Sequence, residues 1–175
     1  ISIEEDKYDI QRMSEETNFT QAQLLKWFAQ LERKKHIIFQ GPPGTGKTFV
    51  AEKLAKVLKG TKGGLIETVQ FHPSYSYEDF IEGIRPELND NQISYDLKPG
   101  RFLEFCDDAK NTDEPSILII DEINRANLSR VFGELMYLLE YRDKEIPLSG
   151  GSMFKIPDNV YLIGTMNTAD RSIAL

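Results

Sequence analysis

One stretch decides the fold of this chain, and it reads Gly41-Pro42-Pro43-Gly44-Thr45-Gly46-Lys47-Thr48. It matches G-x-x-x-x-G-K-[S/T] in full and lies between the apolar run 36–40 and a stretch of helical periodicity, 49–58. A strand, a glycine loop and a helix in this order place backbone N–H groups around a phosphate. We therefore predict that all eight residues bind a nucleotide, with Lys47 neutralising phosphate oxygens and the Thr48 hydroxyl binding Mg²⁺.

A second motif consists of the acidic pair Asp121-Glu122, which closes the apolar run 116–120. The unbroken apolar run predicts a strand that is buried on both faces. The carboxyl end of such a strand lies beside the phosphate loop in a parallel sheet. We expect Asp121 to take part in the Mg²⁺ site and Glu122 to polarise the attacking water. Two motifs in this order favour hydrolysis over binding alone.

The stretch MNTADRS, residues 166–172, follows another apolar run, 160–166, so Asn167 is expected in the same crevice as Lys47. Asn167 and Asp170 have the N-x-x-D spacing with which small GTPases bind guanine. Asp170 reaches only about 10 Å from Asn167 at full extension, however, which is at the limit of the distance from a γ-phosphate to a base. The geometry favours a contact to phosphate, while guanine binding and a purely structural turn remain alternatives.

The remaining pattern is that of an α/β protein, with a parallel sheet flanked by helices and interrupted by hairpin insertions. Residues 1–19 are interpreted as an N-terminal leader or linker and residues 20–175 as one nucleotide-binding core. The pattern predicts further helices at 20–34, 77–84, 101–110 and 128–141, a strand at 65–71, and hairpins at 88–97 and 146–157.

Composition limits the possible function classes. A chain of 175 residues fits one domain, and its net charge of −7 argues against strong binding of duplex DNA by this chain alone. No apolar run is long enough to cross a bilayer, so no membrane partner is expected. The single cysteine, Cys106, excludes an internal disulfide, and the acidic N-terminus lacks the pattern of a signal peptide. These features predict a cytoplasmic protein.

Three longer runs carry a resemblance to a known family, namely QFHPSYSYEDFIEGIRP (70–86), DEINRANLSRVFGE (121–134) and MNTADRS (166–172). They are similar to the McrB family, whose members are the AAA+ motor subunits of modification-dependent McrBC restriction systems. The similarity extends from about residue 20 to the C-terminus. The resemblance implies a P-loop NTPase fold of the AAA+ type. It also implies that the last core strand and a helical lid are missing, so that residues 20–175 are a truncated core.

The resemblance further implies a ring, expected to be a hexamer, that hydrolyses GTP at its subunit interfaces. The ring would drive DNA translocation for a partner nuclease similar to McrC without being a nuclease itself. Asn167 would contact the γ-phosphate or the attacking water. Candidates for contacts in trans or with a partner subunit are Asn124, Arg125, Arg130, Asp170 and Arg171.

Two other functions stay open from the residues. An ATP-dependent AAA+ remodeller of the dynein-related branch would share the loop, the acidic pair and Asn167, because none of these residues distinguishes GTP from ATP. A nucleotide-locked assembly scaffold would bind the nucleotide and turn it over very slowly.

Overall fold

The computed structural model describes residues 8–61, 63–89 and 92–169. Strands within these ranges are β1 (His36–Gly41), β2 (Ile66–Gln70), β3 (Glu82–Asn89), β4 (Gln92–Pro99), β5 (Ser116–Asp121), β6 (Ile146–Pro147), β7 (Met153–Phe154) and β8 (Val160–Asn167). Helices are α1 (Ile10–Thr17), α2 (Gln21–Lys34), α3 (Lys47–Lys59), α4 (Tyr77–Phe80), α5 (Arg101–Ala109), α6 (Leu128–Phe132) and α7 (Leu135–Glu140), with a 3-10 turn at Ile123–Arg125.

Among the described residues, a four-stranded parallel sheet forms the centre of the molecule, in the order β1-β8-β5-β2. Alternate residues of β5 point to opposite faces of this sheet: Ile117 and Ile119 join a cluster with α2 and α3, whereas Leu118 and Ile120 join a cluster with α5 and α6. Helices therefore cover both faces, which is why the strand sequence is apolar throughout. The predicted α/β sheet flanked by helices is confirmed.

Two smaller sheets, β3–β4 and β6–β7, are antiparallel hairpins outside the central sheet. They confirm the predicted insertions. No helix in the described part of the chain combines the length and the apolar character needed to span a bilayer.

The interpretation of residues 1–19 as a leader or linker is wrong for residues 10–17, which form α1. Asp9 caps this helix by accepting a hydrogen bond from the Arg12 N–H, and α1 packs against α2 and α3. Met13 has 0% exposure in the cluster that also contains Leu24. A two-turn helix carries too few apolar residues for a periodic signal, and its stability comes from tertiary packing.

The helix predicted at 77–84 ends at Phe80, and the residues that follow begin β3, so the hairpin predicted at 88–97 is longer at both ends. The sequence predicts that Pro86 follows a helix, whereas the structure places it within β3, opposite Tyr95. A two-stranded ribbon leaves one edge of each strand unpaired, and a proline is tolerated there because it has no N–H to donate.

The single helix predicted at 128–141 is divided into α6 and α7 at Gly133, which has a φ of +48°. A Cβ at this position would lie 3.1 Å from Cε2 of Tyr77, so a side chain is disfavoured both by conformation and by space. The Tyr77 hydroxyl donates to Glu134 Oε1, directly after the break. Contact with α4, which is distant in sequence, thus sets the helix boundary.

If α1 is part of the folded domain, Met13→Ala should lower the free energy of unfolding by about 2–5 kcal/mol, because it leaves a cavity among buried side chains. The matched control is Leu25→Ala on α2, where the side chain is 53% exposed and a loss below about 1 kcal/mol is expected. Urea unfolding checks both values. Equal stability of Met13→Ala and the unmutated chain would contradict the assignment of α1 to the core.

Candidate functional site: the carboxyl edge of the parallel sheet

The sequence motifs meet at one edge of the central sheet. Strand β1 leads into the glycine loop, β5 ends at Asp121, and β8 ends at Asn167. Gly41 pairs with Asn167 in the register of β1 and β8, and the Thr168 N–H donates to the Gly41 carbonyl at 3.1 Å. Since all three strands run in the same direction, their polar ends share one crevice.

The glycine loop has the backbone conformation that its sequence predicts. Gly44 and Gly46 have φ values of +74° and +78°, a region that side chains rarely adopt. Apart from the chain neighbours of each glycine, no atom of the described residues lies within 4 Å of a Cβ built at either position, so the requirement is conformational rather than steric. Gly46 is the N-cap of α3 and has no side chain to cap it. The N-terminus of α3 can therefore direct its backbone N–H groups at an anion.

Lys47 occupies the mouth of the loop. Its Nζ donates to the carbonyl oxygens of Gly41 at 3.0 Å and Pro42 at 2.7 Å, and to Asn167 Oδ1 at 2.7 Å. An ammonium group has three donors, so these contacts use its full capacity. Phosphate oxygens can replace the two carbonyls as acceptors for Lys47, because a charged acceptor binds the ammonium group more strongly than a neutral one.

Thr48 and Asp121 supply the oxygen atoms expected of a Mg²⁺ site. The Thr48 hydroxyl donates to Asp121 Oδ1 at 2.8 Å, which joins the start of α3 to the end of β5. Mg²⁺ in nucleotide sites is bound by one or two protein oxygens, substrate phosphates and water. A hydroxyl and a carboxylate in contact, beside the phosphate loop, fit this requirement.

Glu122 is linked to Lys47 through the side chain of Asn167. The Asn167 amide accepts from Lys47 through Oδ1 and donates through Nδ2 to Glu122 Oε1. An ammonium group only donates and a carboxylate only accepts, so the two charges fix the orientation of the amide. Asn167 is 8% exposed, which holds this bridge away from bulk water.

The backbone of Glu122 is strained, with φ 55° and ψ 42° in the left-handed region. This conformation costs roughly 1–2 kcal/mol for a residue with a Cβ. The Glu122 N–H donates to the Thr165 hydroxyl at 3.2 Å, and Glu122 Oε2 lies 3.6 Å from Arg125 Nε. Strain of this kind persists only where surrounding contacts hold the residue in place.

Sequence reasoning missed Thr165, which is 1% exposed. Its hydroxyl donates to Asp121 Oδ1 at 2.5 Å and accepts from the Glu122 N–H, so it contacts both members of the acidic pair. A signal was available, because Thr165 is a polar residue in an apolar strand and lies two residues before Asn167. Residues at this spacing point to the same face of a strand.

The structure places the candidate partner contacts in different surroundings. Asn124 Nδ2 donates to the Asn167 carbonyl at 3.0 Å, and Asn124 Oδ1 accepts from the Asn167 N–H at 3.3 Å, so this side chain holds the end of β8 within the same chain. Arg125 pairs with Glu122. Arg130 lines a cavity of about 610 Å³ next to the β3–β4 ribbon. Asp170 and Arg171 lie outside the described residues.

Cys106, the single cysteine, is a buried core residue and is not one of the candidate site residues. It is 0% exposed on α5, and burial raises its pKa to about 12. The group therefore stays a neutral thiol and packs as a small core side chain.

Two known restriction proteins are similar in sequence to this chain. The chain is 52% identical over 156 residues to the type IV methyl-directed restriction enzyme EcoKMcrB subunit of Escherichia coli (strain K12), covering 83% of this chain and 33% of that protein. It is 30% identical over 176 residues to the type II restriction enzyme BsuMI component YdiS of Bacillus subtilis (strain 168), covering 78% of this chain and 51% of that protein. The chain thus spans between a third and a half of the length of these relatives.

A solved structure supports the fold. The crystal structure of a "putative ATPase" from Cytophaga hutchinsonii superposes with a TM-score of 0.56 at 18% identity, covering 95% of this chain and 45% of that one. The sequence profile of the AAA domain (dynein-related subfamily) matches residues 36–174. The resemblance to McrB and the predicted AAA+ fold are confirmed, and the chain belongs to the AAA domain family in its dynein-related subfamily.

Proposed function

We propose that this chain binds a nucleoside triphosphate with Mg²⁺ at residues 41–48 and hydrolyses it. The observation that carries the proposal is the convergence of Lys47, Asp121 and Glu122 through Thr48 and Asn167. A loop that only bound phosphate would not require a carboxylate held beside it by a buried amide. The proposal also agrees with membership of a family of nucleotide-hydrolysing proteins.

The loop and Lys47 would bind the β- and γ-phosphates, with the N-terminus of α3 adding its partial positive charge. Thr48 and Asp121 would hold Mg²⁺, which neutralises charge that develops on the phosphate oxygens during transfer. On binding, Lys47 would exchange the carbonyls of Gly41 and Pro42 for phosphate oxygens. Its bond to Asn167 would keep the ammonium group close to the γ-phosphate.

Glu122 would orient the attacking water and accept its proton. One of its carboxylate oxygens is held by Asn167, while Oε2 has no hydrogen-bond partner among the described residues and is paired electrostatically with Arg125. That oxygen remains an acceptor for a proton. Asn167 would place the water and the γ-phosphate relative to each other. In this role it contacts phosphate and does not bind guanine.

We further propose that GTP is the substrate and that the full-length protein is the motor subunit of a McrBC-like restriction complex. The support is the 52% identity to the E. coli subunit over 83% of this chain. In this proposal the chain assembles with copies of itself into a ring, expected to be hexameric. The ring drives DNA translocation for a McrC-like nuclease. The net charge of −7 implies that other parts of the complex hold much of the DNA.

In such a ring the site would be completed by groups in trans, and an arginine there is worth about 10³–10⁵ in rate. Arg125, Arg130 and Arg171 are the proposed arginines, with Asp170 as an acidic partner. Asn124 is proposed as a contact for an activating subunit. Because Asn124 already holds the Asn167 backbone, such a contact would act directly on the residue between Lys47 and Glu122.

Glu122→Gln should lower kcat by about 10²–10⁴-fold, because the amide keeps the shape of the side chain but cannot accept the proton. Affinity for a non-hydrolysable analogue should stay within about threefold, since the loop is unchanged. The control is Glu52→Gln, which removes the same charge from an exposed position on α3. Phosphate release measures turnover, and calorimetry measures binding. Unchanged turnover in Glu122→Gln would contradict the hydrolytic role. Very slow nucleotide hydrolysis by the unmutated protein would favour a nucleotide-locked assembly scaffold.

GTP should exceed ATP in kcat/KM by about tenfold or more when the two are compared side by side in the full-length protein. Lys47→Ala should abolish turnover of the preferred nucleotide, which ties the measured rate to this site. A preference for ATP would leave the fold unchanged but reject the GTP proposal. It would favour an ATP-dependent remodeller of the dynein-related branch.

A further inference from the structure

We propose that Thr165 is a positioning residue. It links the Asp121 carboxylate, which would hold Mg²⁺, to the strained backbone of Glu122, which is the proposed base. This inference rests on the proposed hydrolysis at the same site and adds a residue to it. Thr165 lies on β8, directly after Gly164, which pairs with Ile120 of β5. The strand register therefore brings its side chain beside the end of β5.

The hydroxyl of Thr165 has one hydrogen and two lone pairs. The hydrogen goes to Asp121 Oδ1, and a lone pair accepts the Glu122 N–H. With 1% exposure, the side chain has almost no contact with bulk water that could replace either bond. Both bonds therefore depend on this one oxygen atom.

Asp121 Oδ1 accepts a second hydroxyl, that of Thr48. Two donors from different elements, α3 and β8, fix the rotation of the Asp121 carboxylate. Thr48 can keep only part of this constraint by itself. Without Thr165, the carboxylate can turn about its side-chain torsions, and the oxygens offered to the metal become less well placed.

The second bond acts on Glu122. This residue has a left-handed backbone, and its N–H would be left without the Thr165 acceptor if the hydroxyl were removed. A part-buried donor that loses its acceptor is unfavourable, so the backbone would relax toward an ordinary conformation. Because the backbone determines where the carboxylate stands relative to Asn167, this relaxation would displace the proposed base. The proposed phosphate contacts come from Lys47 and the backbone of the loop at 41–48, so we expect the loss of Thr165 to change the KM for nucleotide much less than kcat.

The test compares Thr165→Val, which keeps the shape and loses the hydroxyl, with Thr165→Ser, which keeps the hydroxyl. Thr165→Val should lower kcat about tenfold or more and leave the KM for nucleotide within about threefold. Thr165→Ser should recover most of the rate. The control is Thr68→Val, which removes an exposed hydroxyl from β2 and should keep the original kcat and KM.

A readout independent of turnover is amide hydrogen exchange at Glu122, resolved by fragmentation mass spectrometry. Thr165→Val should accelerate exchange at this amide about tenfold or more, because its acceptor is gone, while Ile120 in the strand ladder should be unaffected. If Thr165→Val does not fold, Thr165→Cys replaces the hydroxyl with a weakly hydrogen-bonding thiol, and the same results are expected.

Two results would overturn the inference. One is a folded Thr165→Val that keeps kcat within about threefold and protects the Glu122 amide as before. The other is an equal loss of rate in Thr165→Ser, which would assign the effect to packing instead of the hydroxyl. An unmutated protein that hydrolyses neither GTP nor ATP would reject the proposed function, whereas amide exchange would still decide whether Thr165 holds Glu122.

Discussion

The parallel hydrogen bonding of β8 to both β1 and β5 is the constraint on which the site depends. Gly41 pairs with Asn167 on one side, and Ile120 pairs with Gly164 on the other. A shift of one residue in either register would turn the Thr165 and Asn167 side chains away from their partners. The apolar residues of β5 and β8 pack into clusters on both faces of the sheet, so such a shift would also disrupt both clusters of the core. Core packing and site geometry are therefore specified by the same strand pairings.

The polar groups at this edge form one connected network. It runs from Lys47 through Asn167 to the Glu122 carboxylate, and from the Glu122 backbone N–H through Thr165 and Asp121 to Thr48. Donors and acceptors alternate along it, and the charges of the lysine and the carboxylates are partly balanced within it. Hydrogen bonds that link largely buried polar groups in this way restrict the movement of each group. This rigidity explains how Glu122 can be kept in a left-handed conformation, and it provides a preorganised site at which only Lys47 must change its partners.

The local parts of this arrangement could be predicted from sequence. The glycine loop, the acidic pair and Asn167 each sit at the end of an apolar run, so their common edge follows from the parallel sheet alone. Three features required the tertiary structure. Residues 10–17 form a helix that is stabilised by contacts of Met13, and the break at Gly133 depends on Tyr77. The role of Thr165 depends on its contact with β5, although its position two residues before Asn167 was a readable signal. Partner contacts depend on other chains and stay predictions.

We infer that this network is arranged to hold the phosphates and Mg²⁺ of a bound nucleotide. A crystal structure of the full-length protein with Mg²⁺ and a non-hydrolysable GTP analogue tests it most directly. We expect Lys47 Nζ to lie roughly 3 Å from phosphate oxygens and to have left the carbonyls of Gly41 and Pro42, while Thr165 still contacts Asp121 and Glu122. A nucleotide bound elsewhere, or one bound at the loop with Lys47 still held by both carbonyls, would contradict it.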